Sequence, residues 1–234
     1  MITAQNGIFK LDTAHTSYIF RITPQGHLEH IHYGPWLPQA DADVMAQKHT
    51  IAMGSTVEYA PGAPGYCLDS YLLEYSGIGK GDYRHSSLEC KLPDGSFTTD
   101  FVYHSHEILN AAYESDCGLP FAAGKGKTLR VIFADKKYQD LRLVLNYTLF
   151  GDCDVIARNV ELHNATKGRV TIRKIMSAMV DLPQSDYRLL TLAGGRASVA
   201  FTIGHERPYN IKNLLRFGEQ MARGETAVYG KQLT

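Results

Sequence analysis

The sequence is poor in the features that announce most chemistries. It has no Cys-x-x-Cys pair, and Cys67, Cys90, Cys117 and Cys153 are too scattered for zinc-type spacing. They read as free thiols of a reducing compartment, not as a disulfide framework. No eighteen-residue apolar run occurs, so no membrane-spanning helix is expected. Met1-Ile2-Thr3-Ala4-Gln5-Asn6 shows no charged stretch followed by an apolar one, so no leader is expected and the cytoplasm is the expected location. An excess of one charge is missing too. Lys and Arg number 24, Asp and Glu number 24, and no five like charges run together. That balance argues against nucleic acid, because phosphate binding needs a cationic surplus or stripe. The motifs GxSxG, HExxH, GxxxxGK[ST] and GxGxxG are all absent. Gly77-Ile78-Gly79-Lys80-Gly81 has the composition of a phosphate loop but neither its Lys-Ser/Thr ending nor a following helix pattern, so it reads as a glycine-rich turn. No repeat and no low-complexity tract is found.

What is present is the period-two pattern of half-buried strands. Leu141, Leu143, Leu145 and Tyr147 share one face, as do Ile156, Arg158, Val160 and Leu162. Leu129, Val131 and Phe133 follow the same rule, as do Val170 and Ile172. Ser17 to Ile22 is rich in aromatic and β-branched residues. Thr23-Pro24-Gln25-Gly26 and Leu92-Pro93-Asp94-Gly95 supply turns, with proline presetting φ and glycine free to take positive φ. Many short strands with regular turns predict an all-β sandwich or barrel. Two regions depart from the pattern. Pro35 to Pro64 is long for a loop, and such loops tend to be functional. Tyr209 to Gly224 carries Ile211, Leu214, Leu215 and Met221 at roughly helical spacing, which predicts a short amphipathic helix.

Few residues invite chemistry. His30-Ile31-His32 and His104-Ser105-His106 would each set two imidazoles on one side of a strand. No third ligand is evident, so polar positions on an open sheet face are expected and no metal site is. In Gly79-Lys80-Gly81-Asp82-Tyr83-Arg84 the Asp82–Arg84 pair could lock a tight bend or reach a polyol hydroxyl, and the locking role is favoured. No cofactor is implied.

The order of these motifs resembles the N-terminal domain of family 36 α-galactosidases of the melibiase and raffinose type. Phe9-Lys10-Leu11 and Thr16-Ser17-Tyr18-Ile19-Phe20-Arg21 open the series. The run from Gly26 to Gly34 is similar to the family's Gly-x-Leu-x-His-x-Tyr-x-Gly element. Leu68-Asp69, then Leu73-Glu74-Tyr75, lead into Gly81-Asp82-Tyr83-Arg84. Asp94-Gly95-Ser96, the Asp100 to Ile108 element, Gly118-Leu119-Pro120, Thr128-Leu129, Asp135 and Leu145-x-Tyr147-Thr148 follow. Asp154-Val155-Ile156-x-Arg158 with Leu162-x-Asn164 completes it. The match spans about residues 8 to 195. It departs at Asn110-Ala111-Ala112, where the family carries Gly-Lys. It ends after Leu192-Ala193-Gly194-Gly195, where Arg196-Ala197-Ser198 stands in place of a tryptophan-led segment.

The resemblance implies a large antiparallel β-sandwich, a supersandwich of the galactose-mutarotase-like kind, over residues 1–195. It leaves 196–234 as a divergent tail. The family's two catalytic aspartates lie in a (β/α)8 barrel after this domain, and a barrel takes about 250 residues. Glycoside hydrolysis needs two facing carboxylates, and the spacing here selects no pair. No catalytic residue is therefore carried over, and the chain alone is expected not to hydrolyse α-galactosides. The resemblance also implies a homo-oligomer in which a loop of this domain reaches a neighbour's sugar. Pro35 to Pro64 holds that place, with Asp41, Asp43, His49 and Thr50 as polar candidates, against the alternative of a solvated loop. Trp36 could stack on a sugar or serve the core or an interface. A stand-alone carbohydrate-binding or assembly module is the alternative function.

Overall fold

The computed structural model describes residues 1–38, 42–45, 57–114, 122, 124–179, 188–193, 199–203 and 226–230, the last three ranges as backbone strands only. It divides into two units, Met1–Asp181 and Leu182–Thr234. Among the described residues it is almost wholly antiparallel β, as the alternation predicts.

In the first unit, β1 (Ile2–Gln5), β2 (Ile8–Asp12), β3 (Thr16–Ile22) and β4 (Leu28–Pro35) form a four-stranded meander. Asn6 and Gly7 join β1 to β2 with φ of 52° and 76°, the two positive angles that a two-residue hairpin of matching twist requires. The β3–β4 connection is the predicted proline–glycine turn. Gly26 N–H donates to the Thr23 carbonyl at 2.9 Å with φ 89°. The same device recurs at 92–95, where Gly95 N–H donates to the Leu92 carbonyl at 2.9 Å with φ 87°.

A second four-stranded meander holds β6 (Phe101–Leu109), β7 (Lys127–Asp135), β8 (Leu141–Phe150) and β9 (Val155–Asn164). Between the meanders in sequence lie a short helix α1 (Ala42–Met45) and β5 (Leu88–Lys91), and β5 pairs with β10 (Thr171–Ile175). Ile172 of β10 is half-exposed, while Val170 before it packs on the core. The inner faces of both meanders and β5 meet in one core. Phe9, Leu11, Phe20 and Leu28 pack there with Leu88, Leu129, Val131, Phe133, Leu141, Leu143, Leu145 and Tyr147. The Tyr147 ring stacks on Phe20 at 4.8 Å. In such packing a leucine-to-alanine change costs about 2–5 kcal/mol.

Two bulges overturn the expected histidine pairs. Opposite β4, the register moves only from Phe20↔His30 to Ile19↔His32, so Ile31 is an extra residue. Phe20 and Ile19 face opposite ways, and so do His30 and His32: His30 is buried, while His32 Nε2 lies 3.3 Å from the Pro35 carbonyl. In β6 the register moves from Tyr103↔Phe133 to Ser105↔Ile132, which makes His104 the extra residue. His106 therefore shares Tyr103's face, with its Nδ1 2.7 Å from Tyr103 Oη and its ring edge-on to Phe9.

In the second unit β11 (Arg188–Ala193) lies between β12 (Val199–Ile203) and β13 (Thr226–Gly230). The helix expected at Tyr209 to Gly224 falls outside the described residues.

Candidate functional site

The polar groups of the first unit gather at two places. The first is inside the sandwich. Arg158 stands in β9 between apolar neighbours on the inner face, and a guanidinium there must find partners. It finds Glu74, which the sheet register brings in beside β4: Glu74 N–H donates to the Leu28 carbonyl at 3.0 Å, and His30 N–H to Leu72 at 2.7 Å. Arg158 Nη1 is 3.1 Å from Glu74 Oε2, and its Nη2 donates to the Glu74 carbonyl at 3.2 Å. The hydroxyls of Tyr18 (2.7 and 2.8 Å) and Tyr147 (2.8 Å) donate to the same carboxylate, and His30 Nδ1 lies 3.0 Å from Oε1. Glu74 is 1% exposed. Burial pushes its pKa up, but Arg158 and His30 outweigh that and hold it below the ordinary glutamate value. Burial and the Glu74 charge push the Tyr18 and Tyr147 hydroxyls up. Every group in this cluster satisfies another, so it joins the two meanders and leaves no reactive atom open.

The second place is the loop from Gly77 to Glu89. Gly79, Lys80 and Gly81 all take positive φ (96°, 60° and 77°), and Asp82 bridges back to Gly79. Arg84 fastens the bend. Its Nε donates to Asp82 Oδ1 at 2.9 Å, Nη1 to the Tyr71 carbonyl at 2.5 Å and Nη2 to the Leu68 carbonyl at 3.0 Å. Asp82 and Arg84 are thus hydrogen-bonded to each other across Tyr83. Tyr83 between them points outward and is 74% exposed. It overlooks an open depression of ≈ 410 Å³ lined by Gly77, Gly79, His85, Ser86 and Glu89 among others.

A smaller cluster flanks that loop. Tyr59 Oη donates to both oxygens of Asp100 at 2.9 Å and accepts from Lys136 Nζ at 2.6 Å. His27 Nε2 lies 3.5 Å from Asp100. Burial and Asp100 push the Tyr59 hydroxyl far up, which leaves it a hydrogen-bonding strut and not a nucleophile.

The loop candidates are not brought together. Asp41, His49 and Thr50 lie outside the described residues; Asp43 belongs to α1, described as backbone. Trp36 is 51% exposed, with Lys10 Nζ 5.4 Å from its ring centroid, so it is not part of the core. Cys67 and Cys90 are buried and Cys153 is exposed; Cys117 lies outside the described residues. Among the described residues, no three or more His, Cys, Asp or Glu converge as metal ligands, and no helix is long and apolar enough to cross a membrane.

The Glu74 cluster was missed as a unit when the residues were read singly. One signal was available: Arg158 is a charge in an otherwise apolar inward stripe with Ile156, Val160 and Leu162, which demands a buried anion. Which anion was not legible, since Glu74 is 84 positions away.

Known proteins share this fold. The glycosyl hydrolase family 36 N-terminal domain model matches residues 26–198. The bifunctional alpha-galactosidase/sucrose kinase AgaSK of Mediterraneibacter gnavus is 34% identical over 201 residues, which are 81% of this chain and 20% of that protein. The solved galactosidase domain of AgaSK superposes with a TM-score of 0.75 at 31% identity, over 88% of this chain and 29% of the other. A variant of alpha-galactosidase AgaA from Geobacillus stearothermophilus, solved in complex with raffinose, gives 0.74 at 25% identity over 84% of this chain and 28% of that one. The chain thus spans between 20% and 29% of the length of these relatives. It belongs to glycosyl hydrolase family 36, over the family's N-terminal β-sandwich domain.

Proposed function

We propose that this chain is the non-catalytic N-terminal sandwich of a retaining α-galactosidase that removes terminal α-galactosyl residues from oligosaccharides such as melibiose and raffinose. The match to the family's N-terminal domain carries this reading. Two features of the first unit fit it. The buried carboxylates Glu74, Asp82 and Asp100 are each engaged within the fold, by Tyr18, Arg84 and Tyr59 respectively. The Glu74–Arg158 cluster ties the two meanders into a rigid platform of the kind that positions loops. Raffinose bound to AgaA and the galactosidase names of the relatives supply the substrate class.

In the same proposal the parent protein is a homo-oligomer, and the segment from Pro35 to Pro64 reaches the sugar of a neighbouring subunit. Asp41, Asp43, His49 and Thr50 are its polar candidates there, and Trp36 its aromatic one.

The test has two arms. The purified 234-residue chain should not release p-nitrophenol from p-nitrophenyl α-D-galactopyranoside. The protein encoded by the reading frame extended past Thr234 should do so, through two aspartates outside this domain. Turnover by the contaminant-free chain itself would sink the proposal.

A further inference from the structure

The loop that Arg84 fastens does more than turn the chain. Three of the groups around Arg84 are internal: the Asp82 carboxylate and the carbonyls of Tyr71 and Leu68. They fix the backbone on both sides of Tyr83, yet the Tyr83 ring is left 74% exposed. Among the described residues its backbone N–H donates to Asp69 Oδ1 at 3.4 Å. An exposed aromatic on a fixed backbone loses little freedom when something stacks on it.

Glu89 of β5 lines the same depression as Tyr83. Its Oε1 accepts from Ser86 Oγ at 3.0 Å and lies 2.7 Å from Lys174 Nζ of β10. These contacts orient the carboxylate, and Lys174 with Ser86 holds its pKa below the ordinary value, so it is ionised near neutrality. Oε2 makes no hydrogen bond within the described residues. Lys174 also reaches Ser86 Oγ at 3.2 Å and lies 3.4 Å from His85 Nε2. The depression is ≈ 410 Å³, within the range of about 300–1,000 Å³ usual for small-molecule sites.

The chemistry of these groups selects the ligand class. Lys174 is neutralised by Glu89, so an anion has no free cation to meet. His85, Ser86 and Glu89 also line the depression, so a wholly apolar ligand would strand Glu89 and His85. A neutral molecule with one flat C–H face and hydroxyls at its edge suits both Tyr83 and these polar groups. We infer that this depression binds a pyranose sugar, with the Tyr83 ring against the sugar's C–H face and Glu89 Oε2 accepting from its hydroxyls.

The inference rests on the depression alone and stands or falls apart from the α-galactosidase proposal, whose test is turnover. The experiment is calorimetric titration of the 234-residue chain with methyl α-D-galactopyranoside and methyl α-D-glucopyranoside, with glycerol as the open-chain control. Saturable heat in the millimolar range is expected from at least one glycoside and none from glycerol. Tyr83→Ala and Glu89→Gln should each weaken binding about tenfold, equivalent to about 1.4 kcal/mol, while Tyr83→Phe should retain it. Tyr83→Ala should leave the thermal midpoint close to where it is, because the residue is largely exposed. No saturable binding to either glycoside would overturn the inference. So would binding that both Tyr83→Ala and Glu89→Gln leave intact, or that glycerol matches.

Discussion

At the scale of single residues, one buried carboxylate decides most of the electrostatics. Glu74 accepts from Tyr18, Tyr147, His30 and Arg158 at once. Removing a single partner strands a charge, which costs about 3–5 kcal/mol. Arg158→Met and Glu74→Gln should therefore each lower the urea midpoint strongly, and the double variant should cost less than their sum. The pH dependence has a defined sign. The folded pKa of Glu74 lies below its ordinary value of 4.5, so its contribution is complete above that pH. It drains as pH falls through the depressed folded value. In Arg158→Met the dominant stabilising charge is gone and burial pushes the folded pKa up, so acidification should destabilise that variant less than it destabilises the parent. Urea titrations of both proteins at several pH values check this. The thiols form a second residue-level test. Burial, with Asp135 adding, pushes Cys90 up to about 11, whereas Cys153 is exposed. Thiol reagent at neutral pH, mapped by peptide mass, should label Cys153 and spare Cys90 until denaturant is added.

At the scale of elements, glycine placement controls the loop that presents Tyr83. A Cβ on Gly79 would sit 2.6 Å from Thr98 Cγ2, and one on Gly81 2.8 Å from Val57 Cβ, both at positive φ. Gly62 has positive φ (84°) with nothing within 4 Å. Gly79→Ala and Gly81→Ala should destabilise by about 1–3 kcal/mol through clash and strain; Gly62→Ala should lose only about 1 kcal/mol, from strain alone. Thermal melts of the three variants give the order. The strands themselves were legible because β7, β8 and β9 alternate without interruption. The strands β4 and β6 were legible as strands, but not their faces. Each hides one extra residue, Ile31 or His104, and a bulge leaves no mark in a two-residue repeat.

At the scale of the whole molecule, the core that joins the two meanders lies, among the described residues, within Met1–Asp181. A version ending at Asp181 should therefore still unfold in one cooperative urea transition; a gradual, non-cooperative loss of signal would show that this core does not suffice. The sequence by itself determined the all-β class, the turns at 23–26 and 92–95 and the inward stripes of β7 to β9, because these depend on side-chain period and on the local φ preferences of proline and glycine. The Asp82–Arg84 contact is of the same local kind, its partners being two positions apart. Only the tertiary structure decided that Glu74 answers Arg158, that His30 turns inward while His32 does not, and that Tyr83 and Glu89 line one open depression. Those outcomes depend on strand register and on partners far apart in sequence, and no local rule of side-chain alternation encodes either.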